Sequence, residues 1–350
     1  MPSKSGETVL GIDAMGADAG PAALVDGAAL ALEAGLAANI ILFGDEKILK
    51  PMVAERPALA NARIEHAPSA VAMTDKPMHV LRRGRDTSMW KAIEAQKENR
   101  VDAVVSGGNT GALMAVSRMQ LGMIAGVERP AVTALWPTPR GRVVVLDVGA
   151  NVAADADELV DFAIMGEAFF RALTGKKKPT VGLLNVGAEE LKGHDLIRMA
   201  ARTLRDADPD MAFEGFVEGD DISKGAVDVV VTDGFTGNIA LKSAEGAARL
   251  VGQWIKEALT ANLLSRAGAL LMIGGLKRLK QRIDPSNVNG GVFLGINGIV
   301  VKSHGSANEQ GVKSAIEMAA SLVGKGFRAE VAQTVSTVRE RAANTMKAAE

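Results

Sequence analysis

The chain alternates between short apolar runs and longer amphipathic stretches for most of its length. Four of the apolar runs end in a turn of Gly, Asn, Asp, Ser and Thr, at 104–111, 143–151, 181–187 and 229–238. Continuous apolar runs of this kind are typical of strands buried on both faces, so they predict a parallel sheet covered by helices. The turns should lie at the carboxyl ends of these strands, where open α/β sheets bind ligands.

The alternation of strand and helix signals predicts a doubly wound α/β fold. The clearest helix spans 156–174, because acidic residues occupy its start and Gly175 follows its end. We find neither an internal repeat nor a low-complexity linker, and we therefore expect one domain over 1–350. The predicted strands are 8–14, 39–43, 63–67, 102–106, 131–136, 142–148, 180–186, 211–217, 227–232 and 298–303.

The composition and the missing motifs argue against several classes of function. The 350-residue chain has a net charge of −1, which argues against a general nucleic-acid-binding surface. It has no cysteine, so disulfides, thiolate metal sites and a cysteine nucleophile are excluded. The Walker, G-x-S-x-G and H-E-x-x-H motifs are missing, and we expect neither a metal nor a cofactor. No apolar run is long enough for a spanning helix, which predicts a cytoplasmic protein with at most peripheral membrane contact.

One segment differs from the rest in charge. Residues 258–283 contain no acidic residue and several basic ones among many leucines. Three glycines within the segment indicate a helical hairpin rather than one helix. A basic amphipathic helix of this kind commonly lies on a membrane surface or docks an acidic partner. The alternative is a pair of core helices whose lysines face solvent.

The glycine-rich turns are the features that predict chemistry. In the turn 106–111, Asn109 can cap the next helix, and the N–H groups of that helix start can hold an anion. The segment 236–238 resembles it, and the Asn238 amide could hold a carbonyl oxygen. Lys192 could bring a positive charge to the same edge of the sheet. For each turn, the alternative is a plain connection between a strand and a helix.

Seven stretches of the sequence resemble the PlsX family of bacterial acyl-[acyl-carrier-protein]:phosphate acyltransferases. They are 13–16, 73–77, 106–114, 146–151, 182–187, 229–238 and 304–306. They occur in the same order as in the family and cover residues from about 8 to 330. The resemblance is therefore much more specific than any single glycine motif.

The resemblance implies a three-layer α/β/α fold similar to isopropylmalate dehydrogenase and phosphotransacetylase, assembled as a homodimer. It implies that acyl-[acyl-carrier-protein] and inorganic phosphate react to give acyl phosphate and free carrier protein for phospholipid synthesis, through phosphatidic acid. A functional link to a membrane glycerol-3-phosphate acyltransferase follows from that pathway. An amphipathic hairpin at 240–285 would project at the dimer edge.

On this basis we assign site residues as hypotheses. We predict that Lys192 and Asn238 neutralise phosphate charge and polarise the thioester carbonyl, and that His304, together with Lys302, lies in the cleft. The hairpin residues predicted to contact membrane or carrier protein are Leu276, Lys277, Arg278 and Lys280. The predicted phosphate- or substrate-binding residues are Asp13, Gly108, Asn109, Thr110, Gly111, Asn151, Asn185, Asp233, Thr236 and Gly237.

Two rival functions remain from the sequence. One is a short-chain phosphotransacetylase or a dehydrogenase of the same fold group. The other is a non-catalytic scaffold that docks carrier protein to the membrane. Release of free carrier thiol from acyl carrier protein and phosphate would separate them, because a scaffold releases none and a phosphotransacetylase requires acyl-CoA.

Overall fold

An eleven-stranded sheet forms the centre of the computed structural model, which describes residues 7–207, 211–276 and 290–349. The strands lie side by side in the order β3-β2-β1-β4-β11-β10-β5-β6-β9-β7-β8. Their bounds are β1 Thr8–Asp13, β2 Ala38–Gly44, β3 Arg63–His66, β4 Ala103–Ser106, β5 Ala131–Thr138, β6 Gly141–Leu146, β7 Thr180–Leu184, β8 Ala212–Val217, β9 Val229–Val231, β10 Gly291–Leu294 and β11 Val300–Lys302.

The strands are not all parallel, so the expectation of a parallel sheet is wrong at its centre. Strands β1 to β4 and β11 run one way, and β6 to β9 run the other way. The reversal arises at the antiparallel hairpin of β5 and β6. Strand β10, where the sequence analysis predicted no strand, is antiparallel to both neighbours, so β11 and β5 run the same way. The turn 106–111 therefore follows a strand of opposite direction to those that precede the other three turns.

Helices cover both faces of the sheet, as the three-layer prediction requires. Successive residues of a strand point to opposite faces of the sheet. Val104, for example, packs against one helix layer and Val105 against the other. One layer consists of α1 Gly20–Glu33, α2 Glu46–Ala54, α6 Ala156–Thr174, α7 Asp195–Ala207, α11 Glu309–Leu322 and α12 Phe327–Ala349. The other consists of α3 Pro77–Arg83, α4 Ser88–Lys97, α5 Thr110–Leu121 and α8 Gly219–Lys224.

Local sequence explains where these helices begin and end. The helix α6 has the predicted bounds because Asp155 and Glu158 form a capping box and Gly175 ends the helix in the left-handed conformation. The C-terminal part of the chain forms two helices rather than one. It breaks between α11 and α12 at Gly324 and Gly326, whose φ angles of 75° and 72° are incompatible with a continuous helix.

A pair of helices extends beyond the two layers at the predicted hairpin. The helix α9, Gly234–Thr260, has only Gly234 and Gly237 buried, and α10, Leu263–Leu271, has no buried residue and packs against α9. Large apolar side chains stay exposed on α10, including Leu271 at 91%. Leu276 is half-buried, whereas Lys277, Arg278 and Lys280 lie outside the described residues. Among the described residues, no helix combines the length and hydropathy needed to cross a bilayer.

The contact between α6 and α12 predicts a pH dependence of stability. The buried carboxylate of Asp161 accepts a 2.8 Å hydrogen bond from Arg339, and burial nevertheless raises its pKa to about 7. The folded protein then retains a proton that the unfolded chain loses near pH 4, so the free energy of unfolding should fall as the pH rises from about 4 to about 7.

Asp161→Asn should flatten this fall, because the amide cannot ionise. Urea unfolding of the wild-type protein and the variant at pH 5 and pH 7.5 measures the difference. Equal pH dependence in the two proteins would show that Asp161 does not retain its proton on folding.

Candidate active site

Three polar residues end three adjacent parallel strands and pair in register. Asp13, Ser106 and Lys302 are the last residues of β1, β4 and β11, and Ser106 pairs with each of the other two. The Asp13 carboxylate accepts 2.6 Å hydrogen bonds from the hydroxyls of Ser88 and Ser106. The Ser106 hydroxyl in turn accepts a 3.1 Å bond from the Gly108 N–H. Asp13 thereby fixes the start of the 106–111 turn.

Asp13 was predicted to bind phosphate or substrate, and this contact stays a prediction. Its side chain is fully buried behind the turn. Burial raises the pKa of this carboxyl, although the Ser106 and Ser88 hydroxyls and the charge of Lys302 oppose the rise. The contacts that the structure shows for Asp13 are those of a residue that orients the turn.

The Asn109 side chain is occupied by the protein itself. Its Oδ1 accepts a 3.0 Å bond from the Ala112 N–H and caps α5, and its Nδ2 donates to the carbonyls of Met73 (2.7 Å) and Asp75 (3.1 Å). An anion at this helix start would therefore meet the N–H groups of Thr110 and Gly111, which have no carbonyl partner within the helix.

Glycines at this turn allow close packing. A Cβ at Gly108 would lie 2.6 Å from Met89 Cε, and one at Gly111 would lie 3.2 Å from Pro77 Cγ. Gly111 lies within α5 and has no positive φ, contrary to what a left-handed turn would require. Both glycines therefore serve packing at the turn, whatever contacts their N–H groups make.

Lys302 and His304 border the same turn. The Lys302 amino group donates to the carbonyl oxygens of Gly107, at 3.3 Å, and Ser303. Burial lowers its pKa to about 8, although Asp18 and Asp13 oppose the shift. The exposed His304 ring lies 2.9 Å from the Ser306 hydroxyl through Nδ1.

A buried carboxylate organises the second group of turns. Asp147 follows β6, is fully buried and accepts hydrogen bonds from the N–H groups of Val132, Gly149, Ala150 and Asn151 at 2.7–3.1 Å. The Asp147 carboxylate also accepts a 3.0 Å hydrogen bond from Asn151 Nδ2. Burial raises its pKa, and the N–H donors oppose this. The sequence prediction omitted Asp147, although its position at a strand end before Val-Gly-Ala-Asn marked it.

The start of α9 packs directly on this loop. The Gly234 N–H donates 2.8 Å to the Asn151 carbonyl, and a Cβ at Gly237 would overlap the Asp147 carbonyl oxygen. The Asp233 carboxylate caps the helix. It accepts hydrogen bonds from the Thr236 N–H at 2.8 Å and from the Thr236 hydroxyl at 3.0 Å. The side chains of Asp233 and Thr236 and the backbone carbonyl of Asn151 thus hold the helix start in place.

The packing of α9 on the Asp147 loop sets the position of Asn238. Its side chain is exposed beside Gly149, whose φ of 134° requires a residue without Cβ. The Asn238 amide makes no hydrogen bond to another residue in the part of the chain that the structure describes. It is therefore available to a ligand, unlike the amides of Asn109 and Asn151.

The loop after β7 carries Asn185 and Lys192. Lys192 forms a 3.2 Å ion pair with Glu189, and its carbonyl accepts a 3.0 Å bond from Asn185 Nδ2. Because β7 and β9 are adjacent and parallel, this loop and the start of α9 lie at the same edge of the sheet. Asn185 therefore shapes the loop, and a substrate contact by Lys192 remains a prediction.

The helices that begin at the two groups of turns, α5 and α9, lie on the same face of the sheet. Leu241 of α9 packs against the same core as α5. Burial and the charge of Lys242, one turn after Asn238, act together to lower the pKa of both Lys302 and His304.

Comparison with known proteins identifies the family. A sequence profile described as "fatty acid synthesis protein" matches residues 8–330. The chain belongs to this family. It is 53% identical over 326 residues to the phosphate acyltransferase of Maricaulis maris, covering 92% of this chain and 93% of that one. It is 51% identical over 336 residues to the phosphate acyltransferase of Caulobacter vibrioides, and the match covers 96% of this chain and 93% of that one.

The fold has counterparts among solved structures. A phosphotransacetylase from Streptococcus pyogenes matches with a TM-score of 0.61 at 17% identity, covering 91% of this chain and 95% of that one. At this identity the match shows the fold alone, and it confirms the predicted fold group. The family confirms the PlsX resemblance and makes the protein an acyltransferase of lipid synthesis, which sets aside the non-catalytic scaffold.

The contact between α9 and the Asp147 loop can be tested with two glycines of the same helix. Gly237→Ala should lower stability by about 1–3 kcal/mol, because its methyl group would overlap the Asp147 carbonyl. It should also lower activity by displacing Asn238. Gly246→Ala is the control: nothing lies near a Cβ there, and we expect a gain of up to about 1 kcal/mol from helix propensity.

Thermal unfolding and turnover of both variants provide the measurement. If Gly237→Ala were as stable and active as Gly246→Ala, the packing of α9 on the loop would not hold Asn238 in place.

Proposed function

We propose that the protein transfers an acyl group from acyl-[acyl-carrier-protein] to inorganic phosphate, giving acyl phosphate and free carrier protein for phosphatidic acid synthesis. The observation that carries the proposal is the exposed Asn238 amide, which lies beside Gly149 at the Asp147 network and has no hydrogen-bond partner among the described residues. The name phosphate acyltransferase, shared by the relatives at about half identity, supports it.

The reaction balances without a nucleophile from the protein. An oxygen of HPO₄²⁻ bonds to the thioester carbonyl carbon, and the carbon–sulfur bond breaks. The sulfur leaves with the electron pair and takes up the proton that phosphate releases, which gives the free carrier thiol. A thiolate is a good leaving group near its ordinary pKa of about 8.5, so a strong general acid is not required. The absence of cysteine from the chain is compatible with this route.

The remaining work is to bring the reactants together and stabilise charge. We assign the phosphate to the N–H groups of Thr110 and Gly111 at the start of α5. Asn238 donates from its amide to the carbonyl oxygen as negative charge develops there. Aligning two bound reactants can contribute roughly 7–11 kcal/mol, and one well-placed donor about 3–4 kcal/mol. Lys192 and His304 are further candidates for this region, at the β7 loop and beside Lys302.

A second candidate is a phosphotransacetylase that acts on acyl-CoA, favoured by the fold of the Streptococcus pyogenes enzyme. Both reactions release a thiol, so the carrier of the acyl group separates them. Incubation with phosphate and either acyl carrier protein or acyl-CoA, with thiol titration over time, provides the test. We expect phosphate-dependent thiol release from acyl carrier protein. Release from acyl-CoA alone would overturn the proposal.

The role of Asn238 predicts a specific loss. Asn238→Ala should fold normally and lose turnover by roughly 10²–10³-fold, because the donor to the carbonyl oxygen is removed. Asn238→Asp keeps the shape of the side chain but not the donor, and should show the same loss. Thermal unfolding and thiol release measure both effects, and Asn39→Ala, at an exposed asparagine of β2, is the control. Wild-type turnover in either Asn238 variant would refute the role.

We further propose a cytoplasmic homodimer that contacts the membrane peripherally through the α9–α10 hairpin and hands its product to a glycerol-3-phosphate acyltransferase there. Exposed apolar residues on α10, among them Leu263 at 83% and Leu271 at 91%, support a surface that another molecule covers. The basic residues that follow would favour anionic lipid or the acidic carrier protein.

Replacing Lys277, Arg278 and Lys280 by Glu separates these two contacts. If the basic residues meet lipid, each contributes on the order of 1 kcal/mol, so the triple variant should no longer sediment with anionic vesicles. Its KM for acyl carrier protein should stay unchanged. A raised KM with normal sedimentation would assign the residues to carrier docking, and no change in either would mean that they only face solvent.

A further inference from the structure

A cavity lies at the opposite end of β6 and β9 from the Asp147 loop. It has a volume of about 350 Å³ and is enclosed by the β5–β6 hairpin, the end of α6 and the loop before β9. Residues 141–143 line it at the start of β6, whereas Asp147 follows the end of that strand. Four residues of extended chain span roughly 13 Å, so a ligand in the cavity would lie away from the loop on which Asn238 depends.

One wall of the cavity is apolar. Phe170 and Leu173, near the end of α6, line it on one side, and Val143 and Val227 line it at the starts of β6 and β9. Leu173 is only half-buried, so the wall retains apolar surface that a hydrocarbon chain could cover.

Two arginines of the β5–β6 hairpin also line the cavity. Among the described residues, the Arg142 guanidinium has no hydrogen-bond or ion-pair partner. The Arg140 guanidinium contacts the Gly225 carbonyl oxygen at 3.5 Å, and no carboxylate in the described part of the chain pairs with it. A guanidinium can form two parallel hydrogen bonds to one carboxylate or phosphate. The two arginines therefore suit an anionic head group.

The carboxylate in the lining is engaged elsewhere and does not neutralise these arginines. Asp228 Oδ2 accepts hydrogen bonds from Lys176 Nζ at 2.5 Å, from the Thr180 N–H at 2.7 Å and from the Thr180 hydroxyl at 2.9 Å. Lys176 also brings a further positive charge to this end of the sheet. The cavity thus combines an excess of positive charge with an apolar wall.

We propose that this cavity binds an acyl anion, a hydrocarbon chain that ends in a carboxylate or a phosphate. The head group pairs with Arg140 and Arg142, and the first part of the chain covers Leu173. A cavity of this volume is at the lower end of the range for small-molecule sites, which suits a head group and the start of a chain. A protein of fatty acid synthesis encounters such molecules. The inference goes beyond the proposed reaction, because binding is measured without turnover.

A single introduced thiol can report whether the cavity is occupied. The chain has no cysteine, and Thr174 lines the cavity at the exposed end of α6, so Thr174→Cys places one reactive group there. The probes are octyl phosphate, octanoate, octanol and inorganic phosphate, and the measurement is the rate of alkylation by iodoacetamide. At about ten times its dissociation constant, a bound octyl anion should slow alkylation roughly tenfold. Octanol and inorganic phosphate should leave the rate nearly unchanged.

Arg142→Gln, combined with Thr174→Cys, tests the head-group contact. The concentration of octyl anion that gives half protection should rise roughly tenfold or more, as for other lost charged hydrogen bonds. Arg63→Gln is the matched control, since Arg63 is an exposed arginine at the start of β3. Calorimetric titration of the same ligands into Arg142→Gln and Arg63→Gln, without the introduced cysteine, repeats the comparison. Thermal unfolding checks that each variant folds.

The probes also identify the source of the ligand. The head group that protects at the lower concentration, carboxylate or phosphate, is the one that the arginines prefer. Equal protection by inorganic phosphate or by octanol would overturn the proposal, because only one part of the ligand would then matter. Octyl anions that do not slow alkylation, or protection that Arg142→Gln leaves unchanged, would also overturn it. Thiol release from acyl carrier protein tests the proposed function separately.

Discussion

The buried carboxylate of Asp147 is the interaction on which the candidate site depends. It accepts four backbone N–H groups and the Asn151 amide, so a charged group can be buried at the end of β6 with nearly every acceptor position used. The loop that it shapes is the surface on which α9 begins, without space for a side chain at Gly237. Asn238 takes its position from this contact.

The change of strand direction within the sheet explains why the site has two parts. The antiparallel β5–β6 hairpin reverses the strand direction, so the turn after β4 and the loop after β6 follow strands of opposite direction. Helices α5 and α9 nevertheless share one face of the sheet. Burial and the charge of Lys242, in the second turn of α9, lower the pKa of Lys302 at the end of β11.

Much of this architecture could be predicted from the sequence, because strong apolar runs and helix caps are local signals. The bounds of α6 follow from Asp155, Glu158 and Gly175, and the strand ends from the turns. Strand direction could not be predicted, since burial on both faces does not depend on it, and β10 is too short to stand out. The residue types at the turns indicated where a site could lie, but the sequence could not show which hydrogen-bond partners each side chain has.

Asn109 and Asp13 show this limit most clearly. Both were predicted to bind substrate from their types and positions, yet Asn109 caps α5 and Asp13 orients two hydroxyls. The sequence analysis did not select Asp147, because a carboxylate in a chain without metal motifs has no evident role until its hydrogen-bond partners are known.

The central claim is that a phosphate oxygen attacks the thioester carbonyl directly. Phosphorus NMR of a reaction with acyl carrier protein and heavy-oxygen-labelled phosphate tests it, because each labelled oxygen shifts the phosphorus signal. The account predicts an acyl phosphate signal that retains every label, formed in step with free carrier thiol. Thiol release without an acyl phosphate signal, or an acyl phosphate that has lost label, would contradict it.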